Sequence, residues 1–480
     1  MSSGKVYLVG AGPGAPDLIT LKGLKILHQA DVVIYDHLVD RKILEYAKPD
    51  AELICGDELF EEKYINGFTK RQNLINNLMI KKAKQNKMVV RLKNGDPMIF
   101  ARANEELEAL TKNKIEFVII PGVTAATAAA CYSGIPLTAR GVSSSIVITT
   151  GHEASEKNNG FVDWNRISQI DTIVLYMAVE NLTEIINELI NSGKKEDTPV
   201  AIVSNTTKLN QNIIFGTLKN IRDRVKLEKI SAPAIVIIGE VVKKEKKFNW
   251  FKKTKKILFT GISSERYFEN GLIFHVPMIE IKQLDDYTEL DNWIKNLSNR
   301  HKLSAINYKL PFDWIVFSSR FGVFYFFKRL FELREDTRSL KGIKIAAIGS
   351  STANKLKEYG IIADLIPKKE CSDGLINELK KIIEPSTKIL LPRSDIADKG
   401  LADGLKRLGA KIYPVVVYRN VMPKNLPELD LNFFDEIIFS SPSTVRNFIK
   451  RYGKPPERIK IRTIGPVTEK EWNKYESIKK

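Results

Sequence analysis

The second half of the chain carries one series of motifs twice, and this duplication restricts the fold more than any other feature. Asp313–Ser319 (DWIVFSS) recurs as Asp435–Ser441 (DEIIFSS), and a helix-like stretch follows each copy. Two further pairs repeat in the same order, Lys344–Gly349 with Lys460–Gly465 and Lys256–Phe259 with Lys388–Leu391. A repeat of domain size excludes a solenoid, whose period is about 20 to 50 residues, and it predicts a duplicated α/β unit.

The first half alternates short runs rich in valine and isoleucine with helical patterns. Most of the runs are bounded by glycine, proline or aspartate, which is typical of an α/β fold. The predicted strands are Val6–Val9, Val32–Tyr35, Met88–Leu92, Phe117–Ile120, Ile146–Thr149, Thr172–Tyr176, Pro199–Val203 and Ala234–Ile238.

The segment Lys243–Lys256 (KKEKKFNWFKKTKK) interrupts this alternation with a dense positive run and no apolar periodicity. At 480 residues the chain is also too long for a single hydrophobic core. We therefore predict a first region over residues 1–243, a basic linker over 244–255 and a second region over 256–480.

Composition excludes several classes of protein. The three cysteines, Cys55, Cys131 and Cys371, are far apart and form no CxxC pair, so we expect neither a disulfide framework nor a metal site. No apolar run reaches the ~20 residues that span a bilayer and no signal peptide precedes the first strand, so we expect a cytoplasmic protein without a membrane partner. The net charge of +18 favours acidic partners. No nucleic-acid module is visible, and we expect no nucleic-acid partner.

A glycine loop follows the first predicted strand at Gly10–Gly14 (GAGPG) and predicts close approach of a ligand to the backbone. The loop fails the dinucleotide pattern GxGxxG because Ala15 replaces its third glycine. Pro13 also removes an amide hydrogen from the turn that would hold a pyrophosphate. This loop therefore favours a cofactor that has no phosphates.

Two later loops support a ligand site. Asn94-Gly95-Asp96 follows a strand, and its carboxylate can accept hydrogen bonds from an amine or a ribose. Pro121-Gly122 opens a helix of small residues, which allows a flat ligand to approach. Taken singly, each glycine can also be explained by turn chemistry alone.

Seven ordered blocks of the first half resemble the tetrapyrrole methylase family, and within it the uroporphyrinogen-III C-methyltransferases. Together they span nearly all of residues 4–243. The blocks are VGAGPGAPDLITLKG (Val9–Gly23), YDHLV (Tyr35–Val39), VVRLKNGDP (Val89–Pro97), PGVTAATAAACYSGIPLT (Pro121–Thr138), VLYM (Val174–Met177), TPVAIV (Thr198–Val203) and IIGEVV (Ile237–Val242).

This resemblance implies a two-domain α/β fold that binds S-adenosyl-L-methionine between its domains and methylates uroporphyrinogen III at C2 and C7 to precorrin-2. It makes Asp36 the candidate acid or base, and it implies a homodimer. The residues that it assigns to the cofactor are Pro13, Asn94, Gly95, Asp96, Ile99, Thr124, Ala125, Met177 and Thr206.

The first half departs from the family pattern at several positions. His37 stands where arginine is usual, and Asp57-Glu58 replaces a Lys-Arg pair. Asn94 and Thr206 each replace a glycine, and Ala139 replaces a histidine. Because cations suit a polycarboxylate substrate, one alternative is a degenerate methylase region that binds without catalysing.

Residues 256–472 resemble the uroporphyrinogen-III synthase family. The stretches that carry this resemblance are DWIVFSSRFGV (Asp313–Val323), IAAIGSSTANKLKEYGI (Ile345–Ile361), ILLPRSDIADKGLADGLKRLGAKIYPVVVYRN (Ile389–Asn420), IIFSSPSTVRNF (Ile437–Phe448) and IRTIGPVTEK (Ile461–Lys470). The resemblance implies two α/β domains that cyclise hydroxymethylbilane to uroporphyrinogen III without a cofactor. Compared with that family, the second region is expected to be shortened at its C-terminus.

The same resemblance makes Tyr418 the candidate proton donor and Thr468 a substrate contact. Ser318 and Ser440, at strand-to-helix turns, are predicted to donate to substrate carboxylates, because anions are favoured at helix N-termini. Such serines can instead be helix caps, and a tyrosine near a strand end is commonly a core residue.

The leading hypothesis is a bifunctional enzyme of the sirohaem and cobalamin branch, with tetrapyrroles as its small-molecule partners. A less favoured alternative is a ribose methyltransferase of ribosomal RNA, because some relatives share the methylase fold and the chain is basic.

Overall fold

The computed structural model describes residues 4–59, 67–151, 162–263, 271–298 and 310–476. The chain divides into two compact units, Met1–Thr254 and Lys255–Lys480. Within the described ranges, no helix combines the length and the apolar character that a membrane crossing requires.

The first sheet of the first unit is fully parallel. Its strands are β1 (Val6–Gly10), β2 (Val32–Tyr35), β3 (Glu52–Cys55), β4 (Val89–Lys93) and β5 (Phe117–Ile120), in the order β3-β2-β4-β1-β5. Helices cover both faces, namely α1 (Leu21–Leu27), α2 (Arg41–Leu44), α3 (Gly67–Lys84) and α4 (Ala103–Lys112). Leu27 and Ile43 pack on one face and Met79 and Leu110 on the other, so the strands are apolar on both sides.

The second sheet of the first unit is mixed. Its strands are β6 (Ile146–Thr150), β7 (Thr172–Tyr176), β8 (Pro199–Ser204), β9 (Asn212–Thr217) and β10 (Ala234–Ile238), in the order β6-β7-β10-β8-β9. Its helices are α5 (Ala125–Ser133), α6 (Trp164–Ser168), α7 (Leu182–Asn191) and α8 (Ile221–Leu227). Helix α5 follows β5 of the first sheet but packs Ala126 and Ala129 on the second sheet. The start of α5 therefore lies where the two sheets meet.

The segment predicted as a linker forms two short helices, α9 (Glu245–Phe248) and α10 (Trp250–Lys253). The Trp250 indole donates to the carbonyl of Cys131 at 2.7 Å, and Phe251 is buried beside Tyr132. These contacts attach the segment to α5 of the first unit. The region boundaries given above stay predictions.

The second unit contains two sheets. The strands are β11 (Lys256–Phe259), β12 (Leu272–His275), β13 (Glu280–Lys282), β14 (Trp314–Phe317), β15 (Lys344–Ala347), β16 (Lys388–Ser394), β17 (Lys411–Val421), β18 (Glu436–Phe439) and β19 (Lys460–Thr463). One sheet has the order β12-β11-β18-β19, and the other has the order β13-β17-β16-β14-β15. The helices are α11 (Thr288–Ser298), α12 (Arg320–Glu332), α13 (Ser350–Lys357), α14 (Ser372–Leu379), α15 (Gly400–Arg407), α16 (Pro442–Tyr452) and α17 (Pro466–Glu476).

The repeated motifs occupy matching positions in these two sheets. In the four-stranded sheet β11 pairs with β18, which pairs with β19, and in the other sheet β16 pairs with β14, which pairs with β15. In chain order, the three repeated motifs form β11, β14 and β15 in the first copy and β16, β18 and β19 in the second copy. The four-stranded sheet therefore joins β11 of the first copy to β18 and β19 of the second, and the other sheet joins β16 of the second copy to β14 and β15 of the first. The two sheets share one strand order although neither is built from a single copy.

The α/β prediction is confirmed, and every predicted strand of the first unit is present. Two strands were missed, Glu52–Cys55 and Asn212–Thr217. Both lie at a sheet edge and pair with one neighbour only. The edge position alone does not explain the failure, because the edge strands β5 and β6 were predicted; the missed strands begin with the polar residues Glu52 and Asn212 and present only short apolar runs.

The packing of the second unit depends on aromatic residues of α12. Phe326 is fully buried against Phe317. We predict that Phe326→Ala lowers the free energy of unfolding of this unit by about 3–5 kcal/mol, the usual range for a buried ring. Hydrogen exchange of β14 peptides, read by mass spectrometry, measures this change. The control Phe324→Ala removes an exposed ring of the same helix and should lower it by about 1 kcal/mol or less; equal losses would refute the packing argument.

Candidate functional site

A cavity of about 620 Å³ opens in the first unit where β1, β2 and β4 end. The ends of β7 and β8 and the start of β10 form its other wall. The carboxyl ends of parallel strands are the usual place for a ligand in such folds. The residues predicted to bind the cofactor all line this cavity, namely Pro13, Asn94, Gly95, Asp96, Ile99, Thr124, Ala125, Met177 and Thr206.

The two glycine loops are held together by backbone contacts. The amide of Gly95 donates to the carbonyl of Gly12 at 2.8 Å, and Gly12 returns a bond at 3.2 Å. Gly95 has a φ of +70°, and a Cβ on Gly122 would lie 2.2 Å from the Gly95 carbonyl oxygen. Both positions therefore require glycine.

The carboxylate of Asp96 ties these loops to the start of α5. Its two oxygens accept from the amides of Met98 at 2.8 Å and Gly122 at 2.9 Å. The Tyr176 hydroxyl accepts from the amide of Ala126 at 2.9 Å and is hydrogen bonded to Thr124. The wall next to Thr124 and Ala125 is thus fixed from both sheets.

Contacts across the cavity mouth also join the two sheets. The amide of Ala15 donates to the Thr207 hydroxyl at 2.8 Å, and Lys208 Nζ donates to the carbonyl of Leu38 at 3.2 Å. Burial lowers the pKa of Lys208, an effect that Asp40 partly offsets. Lys208 lines the cavity and was not predicted.

Four cavity residues have a left-handed backbone although they are not glycine. Phe100, Arg102, Met177 and Asn205 have φ between 49° and 53°. Such conformations cost on the order of 1–3 kcal/mol each and persist where surrounding contacts enforce them. The cavity wall thus contains four of the ten described residues other than glycine that have a positive φ.

The floor of the cavity holds a buried cluster of charges. Glu106 Oε1 accepts from Arg91 Nε and from Lys93 Nζ, both at 2.8 Å. Arg91 also pairs through Nη2 with Asp36, the predicted acid or base. Arg91, Lys93 and Glu106 are 2%, 1% and 0% exposed, so each ion depends on its partners.

This cluster sets the protonation of Asp36. Burial would raise the pKa of Asp36, but the nearby Arg91 and Lys93 outweigh it and lower the pKa below its ordinary value. Burial together with the charge of Arg91 lowers the pKa of Lys93. Asp36 is therefore ionised at neutral pH, able to accept a proton but weakly basic.

A second charged group lies at the rim of the cavity. Asp57 Oδ2 accepts from the backbone amide of His37 at 2.8 Å and lies 3.1 Å from His37 Nδ1. Asp57 Oδ1 lies 3.0 Å from Arg71 Nη1 of α3. The side chains of His37, Asp57 and Arg71 all line the cavity.

The sequence analysis did not identify several cavity residues. Arg91 and Lys93 could have been found, because two cations two positions apart in an apolar strand lie on one face and demand a partner. His37 and Asp57 were noted only as departures from a pattern. Arg71 and Lys208 carry no local signal, since only tertiary contacts bring them to the cavity.

In the second unit, Tyr418 lies on β17 and is buried. Its hydroxyl is hydrogen bonded to Ser319 at 3.0 Å and also to Ser394, which pairs with Tyr418 just after a register shift between β16 and β17. Burial raises the pKa of Tyr418, and the two serines partly offset this. The phenol therefore keeps its proton at neutral pH. The ring of Tyr325 stacks on it at 5.8 Å.

The predicted substrate contacts of this unit lie at separate turns. Ser318 follows β14, and Ser440 follows β18 of the other sheet next to Gly261, whose missing Cβ leaves space for the Ser440 hydroxyl. Thr468 is buried in α17 and donates to the carbonyl of Ile464 at 2.9 Å. The neighbouring serines are helix caps, since Ser319 and Ser441 accept from amides of α12 and α16. The roles of Ser318, Ser440 and Thr468 stay predictions.

Comparison with known proteins accounts for both units. The family described as Tetrapyrrole (Corrin/Porphyrin) Methylases matches residues 5–222, and the family described as Uroporphyrinogen-III synthase HemD matches residues 269–477. The porphyrin biosynthesis protein HemD of Ruminiclostridium josui is 34% identical over 498 residues, which cover 99% of this chain and 94% of that protein. This chain belongs to both families. It is a fusion of a methylase half and a synthase half, as the sequence predicted.

Two further similarities concern the methylase half. The uroporphyrinogen-III C-methyltransferase of Priestia megaterium is 48% identical over 241 residues, covering 50% of this chain and 98% of that protein. A crystal structure of uroporphyrin-III C-methyl transferase from Thermus thermophilus, complexed with S-adenyl homocysteine, is 35% identical and covers 50% of this chain and 99% of that one, with a TM-score of 0.42.

The charge cluster makes a stability prediction for the methylase half. Glu106→Gln keeps the size of the side chain but leaves two buried cations with one fewer anion, so it should lower the free energy of unfolding by about 3–5 kcal/mol. Hydrogen exchange of β4 peptides measures the change. The control Glu108→Gln, exposed on the same helix, should change it by about 0.5 kcal/mol or less. A similar stability of the two variants would show that the cluster contributes little.

Proposed function

We propose that the synthase half cyclises hydroxymethylbilane to uroporphyrinogen III and that the methylase half converts this product to precorrin-2 by methyl transfer at C2 and C7. The main support is the cavity of the methylase half, which collects the nine predicted cofactor residues and Asp36 around one space. These ten residues lie in five of the seven sequence blocks or, like Ile99 and Thr206, two or three residues beyond a block, and the fold brings them to one space.

The cavity suits S-adenosyl-L-methionine as its cofactor. A Cβ on Gly122 would clash with the carbonyl of Gly95, and a Cβ on Gly95 would lie 3.8 Å from Thr124 and Ala125, so glycine at both positions keeps the loops close together and the space beside Thr124 open. Pro13 offers no amide to a phosphate, and Asp96 supplies a carboxylate for an amine or a ribose. When bound, the sulfonium would supply an electrophilic methyl group, and these loops would hold the cofactor in the cavity.

Cations of the cavity suit a polycarboxylate macrocycle. Arg71, Arg102 and Lys208 line its wall and mouth, and Lys93 lines its floor. Charge-assisted bonds from arginine and lysine are the strongest that proteins make to carboxylates. Asp36 is ionised and faces the same space, so it can stabilise the positive charge that a methylated ring acquires. We keep Asp36 as the candidate acid or base of the site; as an ionised, weakly basic carboxylate it acts mainly through its charge.

In the synthase half we propose Tyr418 as the donor to the departing hydroxyl of the bilane. Loss of water requires a proton at that oxygen, and the buried phenol retains its proton at neutral pH. Ser318, Ser440 and Thr468 are proposed to contact substrate carboxylates. This half needs no cofactor for such a reaction.

We further propose that the enzyme works in the cytoplasm as a homodimer formed through the methylase half. The three unpaired cysteines support a reducing compartment. A sedimentation experiment on the full chain decides the oligomeric state.

The decisive experiment is an assay of the purified chain with hydroxymethylbilane, with and without S-adenosyl-L-methionine. We expect uroporphyrinogen III without the methyl donor and precorrin-2 with it, identified by absorption spectra and mass. Calorimetry with S-adenosylhomocysteine should show binding at the methylase half. Binding without methyl transfer would favour a non-catalytic methylase half, and salt-dependent binding of RNA would favour the ribose methyltransferase.

The role of Tyr418 predicts a selective loss. Tyr418→Phe removes the donated proton and keeps the ring, so the rate of bilane cyclisation should fall by about 10²-fold. Consumption of hydroxymethylbilane measures this rate. The control Tyr325→Phe makes the same change in the stacked neighbour and should leave the rate within about twofold. Equal rates for Tyr418→Phe and the parent chain would exclude the phenol as donor.

A further inference from the structure

His37 and Asp57 form a pair in the methylase cavity that none of the assigned roles uses. His37 comes directly after Asp36, lines the cavity and has a side chain that is 65% exposed. Asp57 comes from the turn after β3, and Arg71 comes from α3. Three separate elements therefore meet at this point of the rim.

The geometry fixes the orientation of the imidazole. Asp57 Oδ2 faces His37 Nδ1 at 3.1 Å and also accepts from the His37 backbone amide at 2.8 Å. A carboxylate next to one ring nitrogen holds the proton on that nitrogen. Nε2 is then the nitrogen with a free lone pair, and it is the one left for the cavity. Arg71, 3.0 Å from Asp57 Oδ1, keeps the carboxylate in place.

Methyl transfer to a pyrrole carbon creates a need for such a group. The ring carbon forms a C–C bond with its π electrons, and the C–S bond breaks with its electron pair leaving on sulfur. The ring system gains one positive charge. The methylated carbon already carries a side chain and has no hydrogen, so a neighbouring C–H or N–H bond of the macrocycle breaks: its proton goes to a base, and its electron pair stays on the ring and neutralises the charge.

Other titratable groups of the cavity serve this purpose less well. Asp36 is paired with Arg91 and has a lowered pKa, so it is a weak base. Lys93 is bound to Glu106 in the buried cluster. Both oxygens of Asp96 are engaged by backbone amides. Glu180 lies beyond Met177, on the wall of the second sheet. Imidazole is the side chain that exchanges a proton most readily near neutral pH.

We propose that His37, oriented by Asp57, is the base that accepts the ring proton during methyl transfer. Nε2 takes the proton and the resulting imidazolium is stabilised by the Asp57 carboxylate. Asp57 is a positioning residue, and Arg71 holds it in turn. This inference rests on the proposed methyltransferase function.

The test measures kcat/KM for methylation of uroporphyrinogen III between about pH 5.5 and 9. His37→Gln should lower kcat/KM by about 10²-fold and remove the fall in rate on the acid side. Added imidazole should restore part of the rate, which a structural role would not allow. Asp57→Asn should cost at least about tenfold. Other charged groups near His37 are Asp57, Arg71, Asp36 with its partner Arg91, and Lys208, which donates to the carbonyl of Leu38. Because these groups also influence the pH profile, the acid limb is assigned to His37 only if the parent chain shows it and His37→Gln does not.

Controls separate this inference from the function beneath it. His28→Gln makes the same change at an exposed position outside the cavity and should keep the parent rate. Calorimetry should show S-adenosylhomocysteine binding within about twofold in His37→Gln, because the cofactor loops are untouched. A parent chain that neither binds nor methylates overturns the proposed function and this role with it. An active parent with an unchanged pH profile in His37→Gln, or a change in KM alone, overturns the role of His37 only.

Discussion

The burial of Arg91 and Lys93 in β4 is the constraint on which the methylase half depends. Two cations inside a sheet are tolerated only when anions meet them, because an unpaired ion in a low-dielectric interior costs several kcal/mol. Glu106 meets both cations and so fixes α4 against the sheet, and Asp36 meets Arg91 from the end of β2. One oxygen of Glu106, Oε2, has no hydrogen-bond partner among the described residues. The cluster therefore stabilises the fold less than an apolar core could, and its value lies in carrying charge to the cavity floor.

The synthase half depends on a different constraint, the exchange of repeated motifs between its sheets. Strand β11 lies at the start of the second unit, and its partner on one side is β18, which lies far along the chain. Lys255 and Glu436, which are 181 residues apart, form an ion pair where these strands meet. Contacts of such long range slow folding because loop closure must precede them. The exchange also means that the four-stranded sheet cannot form from either copy alone. A duplicated sequence has thus become one cooperative unit.

The sequence predicts the central strands well because they are apolar on both faces, as β2, β7, β8 and β10 are. It fails for β3 and β9, which begin with a polar residue and offer only short apolar runs. The cofactor loops could be predicted because glycine, proline and aspartate stand at positions where the backbone conformation restricts the type of residue. Gly95, which has a positive φ, is an example. Arg71 and Lys208 could not be predicted, because nothing in an exposed basic helix or loop tells which lysine or arginine will reach a cavity.

The two halves control protons by opposite physical means. In the synthase half, burial raises the pKa of Tyr418 and keeps the phenol protonated, as its proposed role of donor requires. In the methylase half, nearby cations lower the pKa of Asp36 and keep it ionised, as the proposed stabilisation of a cationic ring requires. Desolvation disfavours the charged form and a neighbouring cation favours an anion. The proposed proton donor of one half is thus kept neutral by its withdrawal from water, and the proposed charge-stabilising carboxylate of the other half is kept ionised by the positive charge around it.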